Sequence, residues 1–549
     1  MNFNIKKFPD LEDTSNVNKL KAGLLIVFVL IITALAWQSD DAYHAYIMAK
    51  NLVDGNGFVY NVGERASASS CPLFTLVIAC GYFVFRNMFL VSLLICIIFS
   101  TLAVKIIFSN FCLSKKQVIF TFVALVSSTC FISYTTSGLE NSMLFFLAAC
   151  FLKVYLLNEN YNSKNLLILA ILISLIAMTR MDAVLLFVPM VLYVYLAKRD
   201  NVSFIKAVFI GILGLLPFIF WLLFSTFYFG FPIPNTAFVK LGTNIPKIEY
   251  LRRGIDYILT SFTFDAVLFY VPIFMIMFTV LSKKFRYIYL CLGVLLYMSY
   301  VVYIGGDFMV GRHFTVGFFM SVICFLDIQN REIVCNEKWR RLNSCYYIAM
   351  IVVIVLTFIF RSNINLFENG GSQIADERAG YFKYTSLYNN TVSYINNKDM
   401  VIRDAWNEEG VEELRSKGFK GGILVMVPGI TMYYNSDLYL NDLYALGDPF
   451  LSKLPAVREN DWRIGHMWRE APVGYIESVL YGDNQIKDES LKEYYEIIKL
   501  ITRGPLWDKE RIKAVIDINL GKYDYLIDNY KKTLDDNCHQ ITDEYYLSR

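Results

Sequence analysis

The stretch LKAGLLIVFVLIITALAWQSDDAYHAYIMAKNLVDGNG, residues 20–57, decides how the rest of the chain is read. Its first half, Leu20 to Trp37, is an apolar run long enough to cross a bilayer. Lys6, Lys7, Lys19 and Lys21 stand at or before its start, so the positive-inside tendency puts that end in the cytoplasm and Asp40 and Asp41 outside. Two adjacent carboxylates at a membrane face suggest a reaction centre just beyond the hydrocarbon. The plain alternative is an acidic pair that ends a helix and meets water. Ala42 to Leu52 reads as a short helix with Tyr43, Tyr46 and Ile47 on its apolar side, suited to lying on the membrane surface. The aspartates would then stand at its N-terminus, where negative charge and capping are favourable. Asp54-Gly55-Asn56-Gly57 ends it with turn chemistry.

The remaining composition extends this pattern. Of 549 residues 56% are hydrophobic, and the mean hydropathy of +0.43 is spread over repeated apolar runs, which points to a polytopic α-helical membrane protein. A net charge of +3, with the basic residues between the runs, gives no nucleic-acid footprint. Eleven cysteines lie mostly in or beside apolar runs, so no disulfide framework is expected. The first run lacks a small-x-small cleavage site and is read as an anchor.

Hydropathy predicts about 11 transmembrane helices, at 20–38, 88–111, 117–134, 141–157, 164–179, 183–197, 204–227, 266–281, 287–303, 313–327 and 344–360. On that count Lys115 with Lys116, Lys198 with Arg199, Lys283 with Lys284, and Arg340 with Arg341 all fall on the cytoplasmic side. The count holds only if the short run from Cys71 to Phe85 inserts without crossing. Residues 1–360 would form the membrane domain, with 38–87 as a long outer loop. Residues 361–549, without a spanning run, would form an extracytoplasmic α/β or α+β domain. Strands are expected at Gly422–Pro428 and Leu443–Leu446, and helices at Ser490–Leu500, Lys509–Ile518 and Tyr523–Lys531.

This topology sends the unusual loop residues to one side. TTSGLENS carries Glu140, TRMDA carries Arg180 and Asp182, FGFPIPNTAFVK carries Asn235 and Lys240, and GGDFMVGRHF carries Asp307, Arg312 and His313. His44 lies just beyond the aspartates, and Trp462, Arg463 and His466 fall in a downstream series of aromatic and basic residues suited to holding a sugar. Each has an ordinary reading. Glu140 could cap the helix after Gly138, Arg180 and Asp182 could be an interfacial ion pair, and Arg312 with His313 could reach for headgroups. The 462–475 series could equally be a seam between domains. Together, however, they resemble a site: charges at span ends usually turn toward a bundle interior or a watery cavity. Carboxylates can act as a general base or seat a divalent cation (Mg2+, Mn2+ or Ca2+ at Asp40 and Asp41), and arginine, lysine and histidine can hold a phosphate. A lipid-facing groove would complete a site for group transfer from a lipid phosphate. A transporter or glycan-binding envelope protein without transferase activity is the alternative.

SDDAYHAYIMAKNLVDGNGFVYNVGERASASSCPLF (39–74), YTTSGLEN (134–141), PIPNTAFVK (232–240), GGDFMVGRHF (305–314), ALGDPFLSKLPA (445–456) and DWRIGHMWREAPVGY (461–475) follow in one order along nearly the whole chain. In this the sequence resembles the mycobacterial-type arabinofuranosyltransferase (AftB) family and its bacterial relatives, within the GT-C superfamily. The resemblance implies an integral protein of the bacterial cytoplasmic membrane with its active site outside. It also implies an inverting glycosyltransferase that moves a sugar, arabinofuranose in the namesake, from a polyprenyl-phosphate donor. The acceptor would be a cell-envelope glycan, glycolipid or protein, and a monomer is expected. Asp40 or Asp41 would be the base that takes the acceptor hydroxyl proton, and the other would orient the acceptor or a metal. Asp307, Arg312 and His313 would lie near donor phosphate or acceptor, with Glu140 where relatives carry an acidic residue. The segment Arg65–Cys71 departs from the family pattern, which points to different acceptor contacts.

Overall fold

Helices form where the apolar runs predict them, but the runs are cut into shorter pieces than their hydropathy suggests. The computed structural model describes residues 14–533 apart from 242, 244, 332–336, 362–372, 405–408, 425–428 and 458–461. The helices that matter below are, in chain order, α1 (Thr14–Ala34), α2 (Ala42–Val53), α3 (Pro72–Phe85), α4 (Met88–Asn110), α5 (Asn141–Leu157), α6 (Ser163–Thr179), α7 (Phe204–Phe229), α8 (Lys247–Phe264), α9 (Val267–Ser282), α10 (Phe285–Tyr303), α11 (Phe314–Arg331), α12 (Glu337–Arg361), α13 (Glu377–Thr385) and α14 (Gly429–Tyr434).

The expectation of a GT-C-type fold with about 11 transmembrane helices is overturned. Among the described residues five helices are long and apolar enough to cross a membrane: α1, α4, α7, α10 and the Arg341–Ile359 part of α12. A sixth is reached only by counting α8 and α9 as one span, although they meet at an angle of 103°. Hydropathy averages over a window and does not see a break inside it. The 117–134 run breaks at Ser128, whose hydroxyl caps a new six-residue helix. The 183–197 run starts as a 3-10 turn and continues in a ten-residue helix. α5 and α6 have 17 residues each, roughly 25 Å at 1.5 Å per residue, against a hydrocarbon core of about 30 Å. α11 is buried almost throughout and carries Asp327 and Arg331 in its last turns. These apolar helices fill the centre of the bundle. α3, with 14 residues, stops at Arg86 in a left-handed conformation.

α2 forms where the sequence predicts it but not on a surface. Tyr43, His44, Tyr46, Ile47, Met48 and Ala49 are all buried, because α3 and α14 pack against it. The expected lateral helix therefore has its apolar and polar sides both enclosed by protein.

The C-terminal part is also corrected. Among the described residues it is helical, with one two-stranded parallel ladder, β1 (Gly421–Leu424) on β2 (Tyr439–Asp442). The second strand ends just before the expected 443–446 segment, and residues 425–428 lie outside the described residues. Helices Glu489–Arg503, Lys509–Asn519 and Asp524–Thr533 match the three expected ones, and Asp488 and Asp508 cap the first two. This part shares its core with the helical bundle. Ile430, Trp462, Ile464 and Met467 belong to the same buried cluster as α4, α5 and α11, while Phe231 and Val239 join Leu443, Phe450 and Ile501 in a second.

Candidate functional site

Loops from both parts of the chain enclose a cavity of about 860 Å³. Eleven of the fourteen residues singled out from sequence line it: Asp40, Asp41, His44, Glu140, Arg180, Asp182, Lys240, Arg312, His313, Arg463 and His466. The other three stand behind the lining. Asp307 accepts from His313, Asn235 is buried with its N–H donating to the Ser67 carbonyl, and Trp462 packs on Tyr250 while donating to Glu249.

The two adjacent aspartates do different things. Asp40 accepts the backbone N–H groups of Gly429 and Ile430 at 2.9 Å each, one on each carboxylate oxygen, and so holds the start of α14. A Cβ at Gly429 would come within 2.7 Å of the Asp40 carbonyl oxygen, so this approach needs glycine. Asp41 occupies the N-cap position of α2 without capping it. Its carboxylate makes no hydrogen bond or ion pair with any described residue, and its charge is felt by Arg312, Glu377 and His466.

Beside them lies a closed network of charges. Glu140 does not cap α5; it accepts from Arg180 at 2.9 Å and from Arg312 at 3.0 and 3.2 Å. Arg180 also holds Asp182 at 2.8 Å. His313 is held by Tyr297 at 2.9 Å and by Asp307 at 3.3 Å. Arg312 and His313 are buried, which removes the headgroup-reaching alternative. Burial pushes the Glu140 carboxyl up, but Arg312 and Arg180 outweigh it and the net shift is downward. Asp307 is likewise held well below the usual carboxylate range by His313, Lys240 and Arg312 against its burial. These acids stay ionised.

Other groups in the cavity are loosely held or uncommitted. The Lys240 ammonium has no hydrogen-bond or ion-pair partner among the described residues, and its stem passes Gly465. Arg463 lies 4.6 Å over the Phe308 ring and 3.9 Å from Glu377, with its Nε buried and unpaired among the described residues. His466 packs edge-on against Phe308 and Tyr444, and burial, reinforced by Arg463, takes its pKa down to about 4. It is neutral near pH 7. Glu377 on α13 is the residue sequence reasoning missed. It is buried, lines the cavity, and has its carboxyl pushed well up by burial and by the charge of Asp41. Nothing local in ADERAGYF marks it, because its meaning comes from what it faces. Tyr381 one turn on, with Trp221, Tyr300 and Trp468, adds aromatic lining.

The donor set does not fit a resident divalent cation at the aspartate pair. Asp40 gives both oxygens to backbone N–H groups, and no group of three or more His, Cys, Asp or Glu among the described residues is arranged to hold a metal.

Comparison of the chain with protein-family models, with curated proteins and with solved structures finds no match in any of the three.

Proposed function

We propose that this chain is a membrane-bound inverting glycosyltransferase that takes a sugar from a polyprenyl-phosphate donor. One observation carries the reading: an uncommitted carboxylate, Asp41, shares a large cavity with two weakly committed cations, Lys240 and Arg463. Charge left unpaired at such a place is costly unless a ligand completes it. Cations suit the phosphate and the carboxylate suits a hydroxyl proton. In this reading Asp41 takes the proton from the acceptor hydroxyl as its oxygen bonds to the anomeric carbon. The bond from that carbon to the phosphate oxygen breaks on the far side, and the electron pair leaves with polyprenyl phosphate. The stereochemistry inverts. Phosphate leaves without a strong acid, so positioning and charge stabilisation at Lys240 and Arg463 do most of the catalysis. No step requires a metal.

The motif resemblance to AftB-type enzymes supports the same reaction class and suggests arabinofuranose as the first sugar to try. The lysines before α1 favour a cytoplasmic start for that helix. The cavity, formed directly beyond its other end, then faces the extracytoplasmic side of a bacterial membrane, where envelope glycans are the acceptors.

The test is to incubate the protein in lipid with a panel of short-chain polyprenyl-phosphate sugars and cell-envelope extract, and to follow polyprenyl phosphate by mass spectrometry. Release with one donor that disappears in Asp41→Asn supports the reading and names the sugar. No release from any donor, or release that survives Asp41→Asn, rejects it. Solute uptake into sealed vesicles with the donor intact would put a transporter in its place.

A further inference from the structure

The role expected of α2, a helix lying in the membrane surface, falls instead on a segment the sequence did not single out. α8 exposes Ile248, Leu251, Ile255, Leu259 and Phe262 at 71%, 36%, 52%, 57% and 45%, spaced three and four apart along one stripe. Its other face is buried through Tyr250, Gly254, Tyr257 and Ser261. A soluble surface seldom presents five large apolar side chains in a row.

The geometry fixes the orientation. α8 meets α9 at 103°, and α9 exposes Ile273, Met277, Val280 and Leu281. Taking α9 along the bilayer normal puts α8 nearly in the membrane plane, with Phe262 at the end of its stripe packed on Phe269 in the first turn of α9. Exposed Asp256 lies off the stripe, while Arg252 stands at its edge, one turn from Ile248 and Ile255 and two turns from Leu259. Lys247 sits over the ring of Tyr303, itself half-exposed at the end of α10, giving the basic and aromatic pairing found at bilayer interfaces. At Gly254 a Cβ would meet the Val302 carbonyl oxygen at 2.3 Å, so the glycine lets α8 cross directly over the end of α10.

We infer that α8 is an interfacial helix, with the Ile248–Phe262 stripe seated at the headgroup–acyl boundary of a lipid bilayer, where it fixes the depth at which the cavity opens. The coupling to the cavity is direct. Tyr257 donates to the Met309 carbonyl at 2.9 Å, Glu249 accepts from Trp462 at 3.2 Å, and Arg253 lies over the Trp462 ring. One face of α8 therefore meets lipid while the other holds the 305–313 and 462–468 loops that line the site. The inference does not depend on the transferase reading.

The test places a nitroxide singly at Ile255, Leu259 or Asp256 of the full chain, with exposed Cys80 and Cys345, and also Cys335 and Cys538, changed to serine, in phosphatidylcholine–phosphatidylglycerol nanodiscs. Accessibility to oxygen and to a water-soluble nickel complex is read by power saturation. Labels at 255 and 259 are expected to be oxygen-rich and nickel-poor at one shallow depth, and the label at 256 nickel-rich. Depths at 255 and 259 that differ by the roughly 6 Å of helix rise between them would mean an upright helix and overturn the inference. Low accessibility to both reagents would mean a covering protein surface, and high nickel accessibility would mean water; either overturns it as well. Leu251 and Phe262 serve as substitutes should a label at 255 or 259 prevent folding. Loss of transferase activity with these accessibilities intact would count against the reaction and not against the helix.

Discussion

On the part of the cavity wall built from the 138–140, 180–182 and 307–313 loops, charges answer one another. Glu140 joins Arg180 to Arg312, Asp182 holds Arg180, and Asp307 holds His313. Where the chain from 40 to 44 meets Lys240 and the C-terminal loops, Asp41 and Lys240 have no such partners among the described residues and Arg463 has only a loose one. A buried network whose charges are paired keeps its shape, because any rearrangement leaves a charge alone in a poorly solvating interior, and here, among the described residues, only the Nε of Arg312 is left over. A group left without a partner is available to a ligand. The paired loops act as the frame and the unpaired groups as the chemistry, and substitutions in the two should fail in different ways.

The sharpest division lies between two neighbours. Asp41→Asn should lower transfer by about 10²- to 10⁴-fold, the usual contribution of a general base, with the thermal midpoint unchanged. Asp40→Asn should instead cost stability, about 1–2 kcal/mol for a weakened helix cap, and lower activity in proportion to the displacement of α14. Parallel kinetics and thermal unfolding in lipid measure both. Equal catalytic losses with equal stability would erase the distinction between them.

Within the frame, Glu140→Gln leaves Arg180 and Arg312 facing each other with no ionised partner between them. Removing one member of a buried pair typically costs about 3–5 kcal/mol. The variant should show a large fall in thermal midpoint, and its residual activity should track the folded fraction. A stable variant with abolished turnover would move Glu140 from the frame to the chemistry. Lys240→Ala and Arg463→Ala should do the reverse. Little stability depends on them, while each hydrogen bond to a charged ligand contributes about 1.5–3 kcal/mol, so the donor KM should rise about tenfold to a hundredfold. Donor titrations beside melting curves separate the two patterns.

Much of this wall was legible because polar residues at the ends of apolar runs are expensive and therefore conspicuous. Glu140, Arg180, Arg312 and His313 stand out against their surroundings in the sequence, and loops at helix ends can converge whatever the number of spans. The number itself was not legible. Ser127-Ser128-Thr129 is only a brief polar step inside an apolar run, too short to lower a window average, yet the Ser128 hydroxyl starts a new helix, and the turn at Asp265 sends α8 and α9 apart by 103°. The division of labour between Asp40 and Asp41 was also hidden. It depends on Gly429, nearly 400 residues away, which lets α14 present its N–H groups to one aspartate only. Glu377 was hidden for the same reason: it lies in an ordinary polar helix, and only the fold brings it to Asp41.

Glu377 tests whether proximity to Asp41 has the consequence its surroundings imply. Its carboxyl is raised well above the ordinary glutamate range by burial first and then by Asp41, with Arg463 pulling weakly the other way and Asp40 and Asp307 adding to the rise. The folded chain therefore binds a proton there that the unfolded chain has already lost, between the ordinary glutamate value and the raised one. In that window the unfolded state binds fewer protons, so this group makes stability fall as pH rises. Its favourable contribution is fully present below the unfolded value and is lost as pH climbs through the folded one. Glu377→Gln keeps the shape and a hydrogen-bond donor but cannot ionise. Its stability should match the wild type at acidic pH and exceed it increasingly toward alkaline pH, by at most about 1.4 kcal/mol for each pH unit in the window, read from unfolding curves of the two proteins across pH. Parallel pH profiles for the two proteins would show instead that Glu377 stays ionised in the fold, with Arg463 as its true counter-charge and one fewer cation left free for a ligand.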